Sequence, residues 1–166
     1  MTVHQLIQHL GLLPHPEGGY YRETYRSGML IPASALPAEF GGERNVSTAI
    51  YFLIEEGNFS AFHKIKSDET WHFYAGDALE VVEIIESGAL ITTLVGNRID
   101  EGQTFQYTVK AGNWFGSRVA KGGSYSLVGC TVAPGFDFKD FEMANRLDLL
   151  ARFPEYNSTI LALTRS

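Results

Sequence analysis

The chain has 166 residues, 13 Lys and Arg against 19 Asp and Glu, a formal charge of −6 and a single cysteine, Cys130. That length suits one domain spanning residues 1–166. A lone thiol excludes an intrachain disulfide or a thiolate-rich metal site, and an acidic balance with scattered basic residues disfavours nucleic acid and anionic lipid as partners.

Thr2-Val3-His4-Gln5 has the Ser/Thr-x-x-Glu/Gln pattern of a helix start, with Val3, Leu6, Ile7 and Leu10 at helical spacing and Gly11 as a stop. Neither a cationic segment nor a long apolar stretch precedes it, so no signal peptide is expected. His4 and His9 read as solvated face residues. Between Gly11 and Gly42, prolines and glycines break the chain repeatedly, and only Tyr20–Arg26 looks like a strand. Glu17, after Pro16 and before two glycines, reads as a turn residue.

From Asn45 to Ala133 the pattern changes to short β-branched and aromatic runs, predicting strands near 45–54, 59–66, 70–75, 79–86, 89–95, 104–110, 113–119 and 124–133. Ser87-Gly88, Glu56-Gly57 and Gly122-Gly123 read as hairpin turns. No helical pattern interrupts these runs, which predicts antiparallel sheets in an all-β sandwich or barrel. The longest clear apolar run, Ala49–Ile54, falls far short of the roughly 20 residues of a membrane helix. A cytoplasmic protein is therefore expected, with a small-molecule ligand and no membrane partner. The tail predicts a helix capped by Asp137 or Asp140 and running through Leu150, then another begun by Pro154.

The chemistry concentrates between Gly57 and Asp77. A turn glycine leads into a strand bearing His63, and a polar loop then delivers Glu69 to the next strand. If these strands are antiparallel neighbours, the imidazole and carboxylate face each other with Cβ atoms about 5 Å apart. Such a pair suits metal ligation, or an acid/base histidine oriented by a carboxylate. Its bland alternative is a buried hydrogen-bonded pair. Strand parity puts Trp71 and Phe73 on the face of Glu69 and sends His72 to the other side, unless a bulge at Thr70 turns it back. Cys130 lies in the apolar run Leu127–Val132 and reads as a buried, inert thiol.

Gly57, His63, Glu69 and Gly76 stand at the spacing of the first cupin motif, Gly-x5-His-x-His-x3,4-Glu-x6-Gly, with Ile65 in place of its second histidine. The stretch Lys110–Val119 resembles the second motif, with Gly112 matched and Phe115 at the histidine position. In cupins that bind a metal, those histidines complete the ligand set. The resemblance therefore leaves His63 and Glu69, with His72 as the one further candidate ligand, and implies no metal otherwise. No cofactor is identified. The phrases His15–Ser27, Asp68–Phe73, Trp114–Ser117 and Val128–Phe136 resemble the uncharacterised cupin type 5 subfamily across nearly the whole chain. That resemblance implies a double-stranded β-helix (jelly-roll barrel) and a homodimer. An aromatic strand at 20–26 in need of a pairing partner would supplement the dimer argument.

Within such a barrel, His63 and Ile65 would share the inner face with Glu69, Trp71, Phe73, Phe115 and Ser117, forming a largely aromatic pocket. The expectation is a metal-independent epimerase or isomerase in which His63 acts as acid or base, Glu69 orients or balances it, and a tyrosine supplies the opposing proton. Cupins that epimerise nucleotide-linked sugars use a histidine in this way, an analogy of fold. Arg22 is the candidate for an anionic ligand group. Arg26 reads as an ordinary salt-bridged strand residue. The alternatives are a metabolite-binding module without turnover and a metal-dependent enzyme with a reduced ligand set.

Overall fold

A computed structural model describes residues 1–165. The Thr2 hydroxyl accepts from the Gln5 amide while the Gln5 side chain accepts from the Thr2 amide, so helix α1 (Val3–Leu10) starts where its capping box predicts. Gly11, at φ 60°, closes it by donating to the Gln8 and Ile7 carbonyls.

Thirteen strands follow in the described residues. They are β1 (Leu13–Pro14), β2 (Tyr20–Arg26), β3 (Leu30–Ile31), β4 (Arg44–Asn45), β5 (Thr48–Glu55), β6 (Phe59–Lys64), β7 (Asp68–Gly76), β8 (Leu79–Ile84), β9 (Leu90–Val95), β10 (Gln106–Val109), β11 (Trp114–Val119), β12 (Tyr125–Ala133) and β13 (Glu142–Met143). They form a six-stranded sheet, β1-β2-β5-β12-β7-β10, a five-stranded sheet, β13-β6-β11-β8-β9, and the small ribbon β3-β4. Every strand pair is antiparallel. The architecture is the all-β cupin jelly roll.

Of the three expected hairpin turns, only Ser87-Gly88 joins paired strands, β8 and β9. Glu56-Gly57 carries the chain from β5 in one sheet to β6 in the other, and Gly122-Gly123 does the same between β11 and β12. A tight turn reverses the chain whether or not the next strand pairs with the last one, so turn residues mark a corner without naming the partner. Strand β5 pairs along one edge of β2, while β1 covers only Tyr20 and Tyr21 on the other, which leaves the edge from Arg22 to Arg26 without a strand partner among the described residues.

The inner faces of the sheets meet in one core that includes Phe52, Ile54, Ile65, Trp71, Leu79, Val81, Phe115 and Val128. The outer face of the five-stranded sheet is covered by α2 (Arg146–Arg152) and α3 (Asn157–Ala162), which with the residue after α3 bury Leu149, Ile160 and Leu163 against Phe62, Val82, Ile84 and Trp114. Fully burying each such side chain contributes about 1.5–3 kcal/mol. The tail departs from expectation in its details. Asp137 caps only a short turn of helix, Phe138–Asp140, then Glu142 and Met143 pair with β6, and Asn145 caps α2. Strand pairing claims residues that helical periodicity assigned to a helix. Among the described residues no helix is long and apolar enough to cross a membrane.

Candidate active site

One end of the barrel stays open as a cavity of about 510 Å³ between the sheets. His63 reaches it from β6 and Glu69 from β7, from opposite sheets. They line the same hollow without being cross-strand neighbours: β6 pairs with β11 and β13, and β7 with β12 and β10. The expected route to their proximity is therefore corrected. The two groups face the cavity from its two walls.

The partner of His63 is Glu17. Its Oε2 lies 3.1 Å from His63 Nε2, and both side chains are almost wholly buried. The turn His15–Gly19 closes through the His15 and Gly18 amides, and the Ala61 amide of β6 donates to the Glu17 carbonyl. Gly18, at φ 112°, lets this turn press onto β6; a side chain there would run into the Phe59 carbonyl and the Arg165 guanidinium. Arg165 donates to the carbonyls of Glu17 and Phe59 and to Asn58, tying the C-terminal segment to the same turn. Glu17 is thus both the turn residue the sequence suggests and a site residue that the sequence reading sets aside.

Hydrogen bonding defines the protons. His63 Nδ1 lies 2.7 Å from the Ala61 carbonyl, an acceptor only, so Nδ1 carries a hydrogen. His15 Nδ1 accepts from the Glu17 amide at 3.3 Å, so its hydrogen sits on Nε2, and the 3.6 Å approach of that Nδ1 to Glu17 Oε2 is no hydrogen bond while the ring is neutral. Burial lowers His63 to about 3 and His15 to about 4. Burial, reinforced by the charge of Glu69, holds the Glu17 carboxyl protonated well above the ordinary range. At neutral pH the proton between Glu17 and His63 therefore resides on the carboxyl group, which donates it to Nε2. Burial raises Glu69 to about 7, with the neighbouring Cys130 thiol opposing the shift. Cys130 itself is buried and pushed up, first by burial and then by Glu69, consistent with an inert thiol.

The rest of the wall is aromatic. Phe136, Phe138 and Phe141 approach from the segment after β12, with Phe141 at 5.1 Å from the His63 ring and Phe136 at 5.0 Å from Phe138. Asp140 anchors this segment, taking two 2.7 Å hydrogen bonds from the buried Arg44 and a 3.3 Å ion pair from Lys66.

The remaining expected contacts fall elsewhere. Trp71, Phe73, Phe115 and Ser117 lie off the cavity wall, with Trp71, Phe115 and Ser117 buried in the packed interior. Phe115 supports His63 from behind at 4.1 Å. Parity correctly aims Trp71, Phe115 and Ser117 inward, but it does not say how far along the barrel each lies, and only one end is hollow. Arg22 points outward and donates to the Leu10 carbonyl at the end of α1. A bulge at Thr24 reverses the parity of β2 there, so Glu23 and Arg26 share the cavity side and pair at 2.7 Å while Tyr25 faces out. Arg26 is salt-bridged as expected but stands on the cavity wall, which Arg22 does not reach.

A cupin metal does not fit these residues. Ile65 lines the cavity without a donor atom, Phe115 packs behind His63, and His72 sits on the outer face between Thr131 and Gln106. Among the described residues no group of three or more His, Cys, Asp and Glu side chains is placed to hold a metal ion. What the site offers is acid–base chemistry: a carboxylic acid hydrogen-bonded to a neutral imidazole, faced by a second carboxyl group that titrates near neutrality.

Comparison with known proteins agrees with this architecture. A hypothetical protein from Leishmania major superimposes with a TM-score of 0.92 at 37% identity, each chain covered in full. A protein from Shewanella oneidensis does so with a TM-score of 0.89 at 37% identity, covering 99% of this chain and 98% of its own. An uncharacterized protein of Saccharomyces cerevisiae is 29% identical over 149 residues, 84% of this chain and 73% of the yeast protein. Oxalate decarboxylase from Bacillus subtilis shares the fold at 14% identity, with a TM-score of 0.54 over 90% of this chain and 36% of the enzyme. Residues 4–144 match the family described as Cupin superfamily (DUF985), and the chain belongs to that family.

Proposed function

We propose that the protein binds a small, partly apolar molecule in the barrel mouth and moves a proton on it without a metal, as an isomerase or epimerase does. The observation that carries this reading is the 3.1 Å contact between Glu17 and His63 Nε2 inside the cavity, with the imidazole fixed by the Ala61 carbonyl. Glu69, on the facing wall and titrating near 7, is the base that removes a proton from substrate. The Glu17 acid, held beside His63, returns one from the opposite side. General acid–base groups near the operating pH contribute about 10²–10⁴-fold each. Tyr21, on the cavity wall and packed 4.5 Å from the His15 ring, is the tyrosine available as a further proton carrier.

The test is incubation of the purified protein with a metabolite extract in D2O, followed by mass spectrometry. Expected is a one-deuteron gain in a metabolite that depends on the wild-type protein and is lost in Glu17→Gln. A small molecule that co-purifies, is released by His63→Ala and gains no deuterium would instead make the barrel a binding module. The homodimer implied by the family resemblance is part of the same proposal. Exposed Tyr25, Met29 and Leu30 on and near β2 and β3 support it, and light scattering on the purified chain tests it. A cytoplasmic location is proposed on the same footing, and fractionation of cells tests it.

A further inference from the structure

The charges around the cavity specify more than a proton transfer. Four carboxyl-bearing residues line it, Glu17, Glu23, Glu69 and Asp137, against a single cationic side chain, Arg26. Arg26 is already committed: it donates to both Glu23 carboxylate oxygens at 3.0 and 2.7 Å, and through Nη1 to Asn45 Oδ1 at 2.8 Å and the Phe136 carbonyl at 3.1 Å. The two histidines bring no positive charge in this arrangement, since His15 Nδ1 accepts from the Glu17 amide and His63 Nε2 accepts from the Glu17 acid. An anion entering here would find no free cation and would meet carboxylates in a weakly screening surround. A phosphorylated ligand, including the nucleotide-linked sugars of the fold analogy, has nothing on this wall to hold its phosphates. A cation meets the reverse situation. The carboxyl groups attract it, and the faces of Phe136, Phe138 and Phe141 carry the negative side of the aromatic quadrupole.

We infer that the cavity takes a small organic cation built on a planar apolar ring, an amine or amidine whose charged nitrogen is drawn to the Glu69 carboxylate, with Asp137 on the same wall, while the ring lies among Phe136, Phe138 and Phe141. This names the ligand class of the site read above as a proton-transfer centre and rests on that reading for its location. The cavity volume of about 510 Å³ accommodates such a molecule with room for a substituent.

Three probes that share one ring and differ in charge test it: benzamidine, benzamide and benzoate, titrated into the purified full chain at pH 7.5 by calorimetry and by NMR of the histidine rings. Expected is at least tenfold tighter binding of benzamidine than of benzoate, with benzamide between them, and a loss of about tenfold for benzamidine but not for benzamide in Glu69→Gln. Benzoate binding as tightly as benzamidine, or no binding by any of the three, overturns the inference. The outcome is separable from that of the D2O experiment. If the charge series fails while Glu17-dependent deuterium uptake persists, the ligand class falls and the proton-transfer site stands. If benzamidine binds selectively and no metabolite exchanges, the cation site stands without catalysis.

Discussion

Phe62 and His63 are consecutive on β6, equally buried, and opposite in consequence. Phe62 points outward into an apolar seam closed by Leu149, Ile160 and Leu163, where every neighbour adds dispersion and removes surface from water. His63 points inward to a hollow whose polar lining includes Glu17, Glu69 and His15. Burial in the first place stabilises the fold. In the second it suppresses charge, holding a carboxyl group protonated and two imidazoles neutral. The comparison teaches that depth of burial does not mark a site in this barrel. What marks it is a buried titratable group left facing a space instead of a packed neighbour.

The sharpest way to break the comparison is to empty the sealed side. Phe62→Ala is expected to cost about 3–5 kcal/mol of unfolding free energy, read from urea denaturation, because helices anchored at several points cannot collapse fully into the void. It should leave proton exchange in the surviving folded protein unchanged. On the other side, Glu17→Gln keeps an N–H donor for His63 Nε2 and removes a carboxyl group that the fold must hold protonated, so stability at neutral pH should not fall and should rise, while deuterium uptake drops about 10²–10⁴-fold. A matching fall in stability would make the pair structural.

A smaller effect sharpens the electrostatic half. Glu69 rises in the fold from the ordinary glutamate value, near 4.5, to about 7, so the folded chain keeps a proton that the unfolded chain releases between these pH values. Stability from this group is therefore complete below about pH 4.5 and is lost as pH rises through 7. Glu69→Gln removes that loss, and its gain over wild type should grow from near zero at pH 4.5 to on the order of 3 kcal/mol at pH 8. His63 acts in the opposite sense. Lowered to about 3, it contributes stability that is complete above its ordinary value of 6.5 and declines as pH falls towards 3. The smallest change is Arg22→Ala, which removes one hydrogen bond to the end of α1 and should cost about 0.5–1.5 kcal/mol with no effect on ligand binding or exchange. A binding defect there would restore Arg22 to the site.

Much of the fold is legible in the residues. Alternating β-branched and aromatic runs locate the main strands, the Thr2 and Gln5 capping box locates α1, and the spacing of His63 and Glu69 brings both to one cavity. Topology is less legible, because Glu56-Gly57 and Gly122-Gly123 are turn residues whose strands lie in different sheets. The larger omission is Glu17. Its carboxyl group meets His63 across 46 positions of sequence, a contact that local periodicity cannot express. The available signal is the following Gly18-Gly19 pair, which permits a turn to lie flush against a strand and aim its preceding side chain inward. Arg22 and Arg26 show the same limit at shorter range, since one extra residue at Thr24 exchanges which of them faces the cavity.

The most direct test of the central claim is the protonation of His63, followed by nitrogen-15 NMR of the histidine rings between pH 4 and 8. The account predicts a neutral ring at pH 7 with hydrogen on Nδ1 and a bare Nε2, beginning to titrate only towards pH 3, and a changed Nε2 environment in Glu17→Gln. A ring charged at pH 7, or one titrating near the ordinary histidine value of 6.5, would mean that Glu17 is a carboxylate there and would contradict the acid–imidazole pair on which the proposed chemistry stands.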